Sequence, residues 1–157
     1  MKKMMQIAAM FLFVFSVAAW AQQDPWLGTW KVNIAKSKYD PGPIPTTAGT
    51  TKREALAGGQ FKTTTDGVNA QGQKTHTEFT FKPDGKDYPI TGSQEFDMQS
   101  VRNFGSNTRV VVSKKNGHVV RMIRTVLSPD GKSYTNSTIS INAQGRVAHN
   151  VTLYEKQ

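Results

Sequence analysis

The chain has 157 residues, 20 Lys and Arg against 11 Asp and Glu for a net charge of +9, and no cysteine. That length suits one domain with a useful core, and the cysteine count excludes a disulfide framework and a lipid-modified N-terminal cysteine. The basic residues are scattered (Lys31, Lys36, Lys38, Lys52, Arg53, Lys114, Lys115, Arg121, Arg124); this pattern serves solubility and attraction of anions, and no nucleic-acid recognition motif accompanies it.

At the start of the chain, Met1-Lys2-Lys3 is a short positive region, Met10 to Trp20 is apolar apart from Ser16, and Ala19-Trp20-Ala21 puts small residues at the −3 and −1 positions of a cleavage site. This order predicts a secretory signal peptide over residues 1–21. A membrane-spanning helix needs about 20 apolar residues, more than this run supplies. Loss of Lys2 and Lys3 with the leader lowers the net charge from +9 to +7. The expectation is an exported bacterial protein, periplasmic or extracellular, with a single domain over 22–157, monomeric and not membrane-spanning.

From Gly28 onward, turn chemistry recurs every eight to twelve residues. Pro83-Asp84-Gly85-Lys86 and Pro129-Asp130-Gly131-Lys132 are nearly the same turn used twice, and Asn116-Gly117 is a type I′ hairpin signal, whose two central residues both need positive φ. Between the turns lie runs of Thr, Val, Ile, Phe and Tyr, the residues that fit a pleated, half-buried surface. The predicted strands are Gly28–Ile34, Thr50–Leu56, Gln60–Val68, Gln73–Lys82, Asp87–Thr91, Met98–Phe104, Thr108–Lys115, His118–Leu127, Ser133–Ile141 and Arg146–Glu155. Ala35–Gly49, with Pro41, Gly42, Pro43 and Pro45, is predicted to be a loop and a partial lid. The fold class is therefore all-β: an antiparallel up-and-down meander of about ten strands, long enough to close into a barrel and remove its edges.

Residues 64–72 correspond to residues 137–145 at an offset of 73, with Asn-Ala-Gln-Gly repeated at Asn69–Gly72 and Asn142–Gly145. The same offset carries His76 onto His149 and Phe81 onto Tyr154. Turn type and strand pairing constrain short sequences strongly, so reuse of a good hairpin accounts for the repeat.

Leu27-Gly28-Thr29-Trp30-Lys31-Val32 resembles the opening of the lipocalin and fatty-acid-binding-protein (calycin) superfamily, whose Gly-x-Trp begins the first strand. The resemblance implies that Trp30 plugs one end of the barrel, where a bulky side chain is needed. Val151–Lys156 is similar to the last strand of fatty-acid-binding proteins, where an Arg-x-Tyr pair holds a ligand carboxylate; here Thr152 stands at the Arg position and Tyr154 at the Tyr position. The helical lid of those proteins is replaced by the proline-rich stretch. Gly28–Lys31, Ala35–Lys38 and Pro41–Pro43 also resemble uncharacterised exported bacterial lipocalin-like proteins.

The resemblance implies an interior site for a small apolar or amphipathic ligand, in one form anionic, with Tyr154, Thr152, Arg124, Phe79 and Phe81 as candidate contacts. Hydrophobicity in the tenth strand points the other way, because Val147, Val151 and Leu153 alternate with Asn150, Thr152 and Tyr154, and a one-residue slip exchanges the faces. Arg121 and Arg124, three apart on one strand, lie on opposite faces, so one points inward. Inside, it would meet a ligand's anionic head, a carboxylate such as Glu78 or Glu95, or Trp30. Two further readings are an envelope interaction protein with a filled barrel and basic surface, and a nitrobindin-like haem barrel ligating iron through His149. His76, His118 and His149 have no metal-ligand spacing, and no nucleophile–base pair or carboxylate dyad points to an enzyme. No cofactor or metal is expected.

Overall fold

The computed structural model describes residues 24–69, 72–141 and 145–157. The signal peptide, its cleavage site and the interiors of the two Asn-Ala-Gln-Gly turns lie outside the described residues.

Ten strands close into an antiparallel barrel in which each strand pairs with its chain neighbours and β1 pairs with β10. They are β1 Gly28–Asp40, β2 Thr50–Leu56, β3 Gln60–Val68, β4 Lys74–Phe81, β5 Tyr88–Thr91, β6 Met98–Phe104, β7 Thr108–Lys115, β8 His118–Leu127, β9 Ser133–Ile141 and β10 Val147–Lys156. No α-helix occurs among the described residues, and no helix there is long and apolar enough to cross a membrane. The turns behave as their residues dictate. Asn116 and Gly117 take φ of 49° and 80°. In the two Pro-Asp-Gly-Lys turns, Asp84 Oδ1 accepts from Lys86 N at 2.9 Å and Asp130 Oδ1 from Lys132 N at 3.0 Å.

One element departs from its prediction by more than a residue at an end. β1 continues through Ala35 to Asp40, where a loop is expected, because its prolines begin only at 41. The continuation is bulged: Asn33 pairs with Leu153 and Lys38 with Val151, so Ile34, Ala35, Lys36 and Ser37 face the single residue Thr152. Ser37 Oγ repairs the ladder, accepting from Leu153 N at 3.0 Å and donating to Asn33 O at 2.7 Å. The Asn33 side chain and Lys36 then clamp Glu155 Oε1, each at 3.1 Å.

The core sits as two clusters inside the barrel. Trp26, Trp30, Leu127 and Tyr134, joined by Tyr154, fill one end. There the segment before β1 crosses under the barrel, and Trp26 Nε1 donates to Ser106 O in the β6–β7 turn at 3.1 Å. Phe79, Phe81 and Val101, with Phe61, Tyr88, Ile90 and Val111, form an apolar wall on β3–β7. The opposite end is a mouth framed by the turns after β1, β3, β5, β7 and β9.

The mouth loop 92–97 is tied to β7 by Asp97 N donating to Lys114 O at 2.9 Å. It starts at Gly92, whose φ is 80° and where a Cβ would collide with the His76 carbonyl oxygen. Gly92→Ala is therefore expected to cost at least about 2 kcal/mol of stability, from the left-handed backbone and the backbone collision together. A urea titration that leaves the midpoint unchanged would contradict this.

Candidate ligand-binding cavity

Strand alternation sends one set of side chains inward all the way round. These are Thr51 and Arg53 on β2, Thr63 and Thr65 on β3, Thr77, Phe79 and Phe81 on β4, Gln99 and Val101 on β6, Arg109 and Val111 on β7, and Arg121, Ile123 and Thr125 on β8; Tyr134 and Asn136 on β9 and Tyr154 on β10 complete the ring. They enclose a cavity of about 640 Å³, within the size range of small-molecule sites. The barrel is not filled by its side chains, against the filled-barrel expectation. One wall is the aromatic and aliphatic cluster on β3–β7; the rest is largely hydroxyl and amide, with Thr125 Oγ1 on Asn136 Oδ1 at 2.8 Å and Thr51 and Thr65 hydroxyls 3.3 Å apart.

The polar parity of β10 faces inward. Tyr154 lines the cavity, and Thr152, 9 % exposed, lies on the same face, while His149 and Val151 are exposed outside. Interior hydrophobicity misleads here because a cavity that is half polar does not demand apolar lining. Phe79 and Phe81 stack at 4.7 Å and line the cavity beside Thr77, on the face that the 73-residue offset assigns them with Tyr154. Trp30 is fully buried at the closed end; its indole meets Tyr134 edge-on at 4.9 Å and donates to Trp26 O at 3.3 Å.

Arg124 is a correction. It lies exposed on the outer face of β8, and Arg121 is the inward member of the pair. Neither meets Trp30 or Glu78: Glu78 pairs outside with Lys62 at 2.7 Å, and Lys156 lies over Trp30 at 5.1 Å. Arg124→Ala is expected to leave ligand affinity unchanged and to alter stability by less than about 0.5 kcal/mol, whereas Arg121→Ala weakens binding; equal effects in parallel titrations would contradict this placement. His149 points away from the cavity, so it cannot reach a haem inside. No group of three potential metal ligands occurs among the described residues. The proline-bearing residues 41–49 sit at the mouth end but do not line the cavity.

Two arginines that the sequence did not single out stand near the closed end. Arg109, 6 % exposed, lies over Trp26 at 4.2 Å and Phe61 at 5.4 Å. Arg53 lies over Tyr134 at 4.4 Å and Trp26 at 5.8 Å. Cation–π contacts of this kind contribute roughly 0.5–2 kcal/mol each. Arg53 Nη1 and Arg109 Nε are buried without a hydrogen-bond partner among the described residues. Burial, then the charge of Arg53, pushes the Arg109 guanidinium down to about 10, with Asp24 acting weakly the other way. Higher in the barrel, Arg121 lies over Phe96 at 4.0 Å and donates from Nε to Ser113 Oγ at 3.2 Å, the same oxygen that receives Gln99 Nε2 at 3.0 Å. Burial lowers the Arg121 pKa as well. Among the described residues no carboxylate is within ion-pair distance of any of the three. Burial raises the phenol pKa of Tyr154 well above the ordinary range and raises that of Tyr134. Both hydroxyls therefore stay protonated beside the cations.

Among solved structures, the barrel is similar to zebrafish ileal bile acid-binding protein complexed with cholic acid, with a TM-score of 0.54 and 18% identity over 85% of this chain and 99% of that one. It is also similar to the fluorescent protein UnaG, with a TM-score of 0.54 and 15% identity over 84% and 97% of the two chains. No protein-family model matches the chain, and no curated protein matches it. What these likenesses establish is the fold: a closed ten-stranded antiparallel barrel.

Proposed function

We propose that this chain is an exported, monomeric binding protein of lipocalin-like type that holds an amphipathic anion inside its barrel and performs no catalytic step. The observation behind this reading is the pairing of a 640 Å³ cavity with three inward guanidinium groups that lack carboxylate partners. A buried cation without a counter-ion is costly, and a ligand acid is the group that would relieve it. The apolar wall of Phe79, Phe81 and Val101 gives the ligand's hydrocarbon a dry surface. The structural likeness to a protein complexed with cholic acid, itself an amphipathic carboxylic acid, agrees with this chemistry. The leader-like residues 1–21 and the likeness of Gly28–Lys31, Ala35–Lys38 and Pro41–Pro43 to exported bacterial lipocalin-like proteins support a periplasmic or extracellular setting.

Titration with anilinonaphthalene sulfonate, an aromatic anion, tests the reading. Saturable single-site binding with a fluorescence rise is expected, and it should weaken when Arg53 or Arg109 is replaced by Met. Absence of saturable binding would overturn the proposal.

A further inference from the structure

The inward arginines fall into two groups at different heights in the barrel. Arg53 and Arg109 are near the floor, held over Trp26, Phe61 and Tyr134. Arg121 is near the mouth, over Phe96 of the loop 92–97. Its anchor, Ser113, shares an inward face of β7 with Arg109 and is four residues away, a rise of roughly 13 Å. Val111 and Ile123 line the cavity between them, Val111 as part of the wall that Phe79, Phe81 and Val101 form.

We propose that the ligand is a two-headed anion: an elongated amphiphile with an acidic group at each end and an apolar middle, one acid on Arg53 and Arg109 and the other on Arg121. This rests on the reading of the cavity as a site for amphipathic anions and adds a second head to the ligand. A single acid at the floor leaves Arg121 half-buried and unmatched, since its Nε is spent on a neutral hydroxyl and Glu95, the carboxylate acting on it, does so without an ion pair. Ser113 is fully buried and fixed by Gln99, so the guanidinium is held in place, and among the described residues its outer nitrogens make no hydrogen bond that would compete with a planar acid. An extended chain of roughly ten carbons bridges the two positions.

The test is displacement of bound anilinonaphthalene sulfonate by dodecanedioate and by dodecanoate at neutral pH. Exchanging a terminal methyl for a carboxylate removes apolar burial, so any gain in affinity must come from the second cation. Dodecanedioate is expected to displace the dye at concentrations about tenfold lower than dodecanoate. Arg121→Met should erase that difference by weakening dodecanedioate displacement more than dodecanoate displacement, and Arg121→Lys should restore part of it. Equal displacement by the two acids, or a preference for dodecanoate, overturns the two-headed ligand and leaves the anion site standing. A preference for dodecanedioate that survives Arg121→Met also overturns it. Failure of the dye itself to bind removes the cavity reading, and the proposal with it.

Discussion

Arg109→Met is expected to leave the unliganded protein as stable as the parent, or about 1–3 kcal/mol more stable, while weakening the binding of amphipathic anions at least about tenfold. The reason lies in what surrounds the side chain. Arg109 is buried, its Nε has no partner, Arg53 shares its neighbourhood and no carboxylate pairs with it among the described residues. Burial and the nearby Arg53 charge push its pKa down from the ordinary guanidinium range to about 10. A cation whose folded pKa is depressed destabilises the fold at every pH below the folded value, and the penalty fades as pH rises from about 10 toward the ordinary guanidinium value. At neutral pH this cost is at most about 3 kcal/mol, and the Trp26 face offsets up to roughly 2 kcal/mol of it. Methionine fills much of the same volume without the charge. A guanidinium retained for packing alone predicts the reverse pattern, in which thermal stability falls and affinity holds. Measuring both the urea midpoint and the dye affinity of the variant separates the two.

Trp30→Ala is expected to cost about 3–5 kcal/mol, a large share of the 5–15 kcal/mol that holds a domain of this size together. No part of Trp30 reaches solvent, and its ring is packed against Tyr134, under Lys156, with its N–H satisfied by Trp26 O. Removing it opens the closed end directly beneath the stacked Tyr134 and Tyr154 rings, whose centroids are 4.5 Å apart. The chain has no disulfide to hold the ends of the barrel once that packing is lost. Trp30→Phe keeps an aromatic contact with Tyr134 and should recover part of the loss. A Trp30→Ala variant within about 1 kcal/mol of the parent by urea unfolding would show that the end is closed by other groups.

Much of the barrel was legible because its turns are chemically explicit. Asn116-Gly117 and the two Pro-Asp-Gly-Lys segments bound their strands on local backbone grounds, and six strands, β2, β3, β6, β7, β8 and β9, have the expected bounds. The continuation of β1 was not legible because the prolines at 41, 43 and 45 follow it closely and its bulge depends on a Ser37–Leu153 contact 116 residues apart in the chain. The site was harder to read. Trp30, Phe79, Phe81 and Tyr154 follow from strand parity, but the choice between Arg121 and Arg124 turns on one residue of register. Arg53 and Arg109 passed as surface charge because nothing local marks a buried arginine: the aromatic rings of Trp26, Phe61 and Tyr134 that receive them come from distant parts of the chain.

The central claim is that the floor arginines receive a ligand acid, and a crystal structure of the protein with dodecanoate tests it most directly. The carboxylate should lie within hydrogen-bond distance of Arg53 and Arg109, with the alkyl chain along Phe79, Phe81 and Val101 toward the mouth. Dodecanoate bound only outside the barrel, or inside it with its methyl end against the floor arginines, would contradict the account.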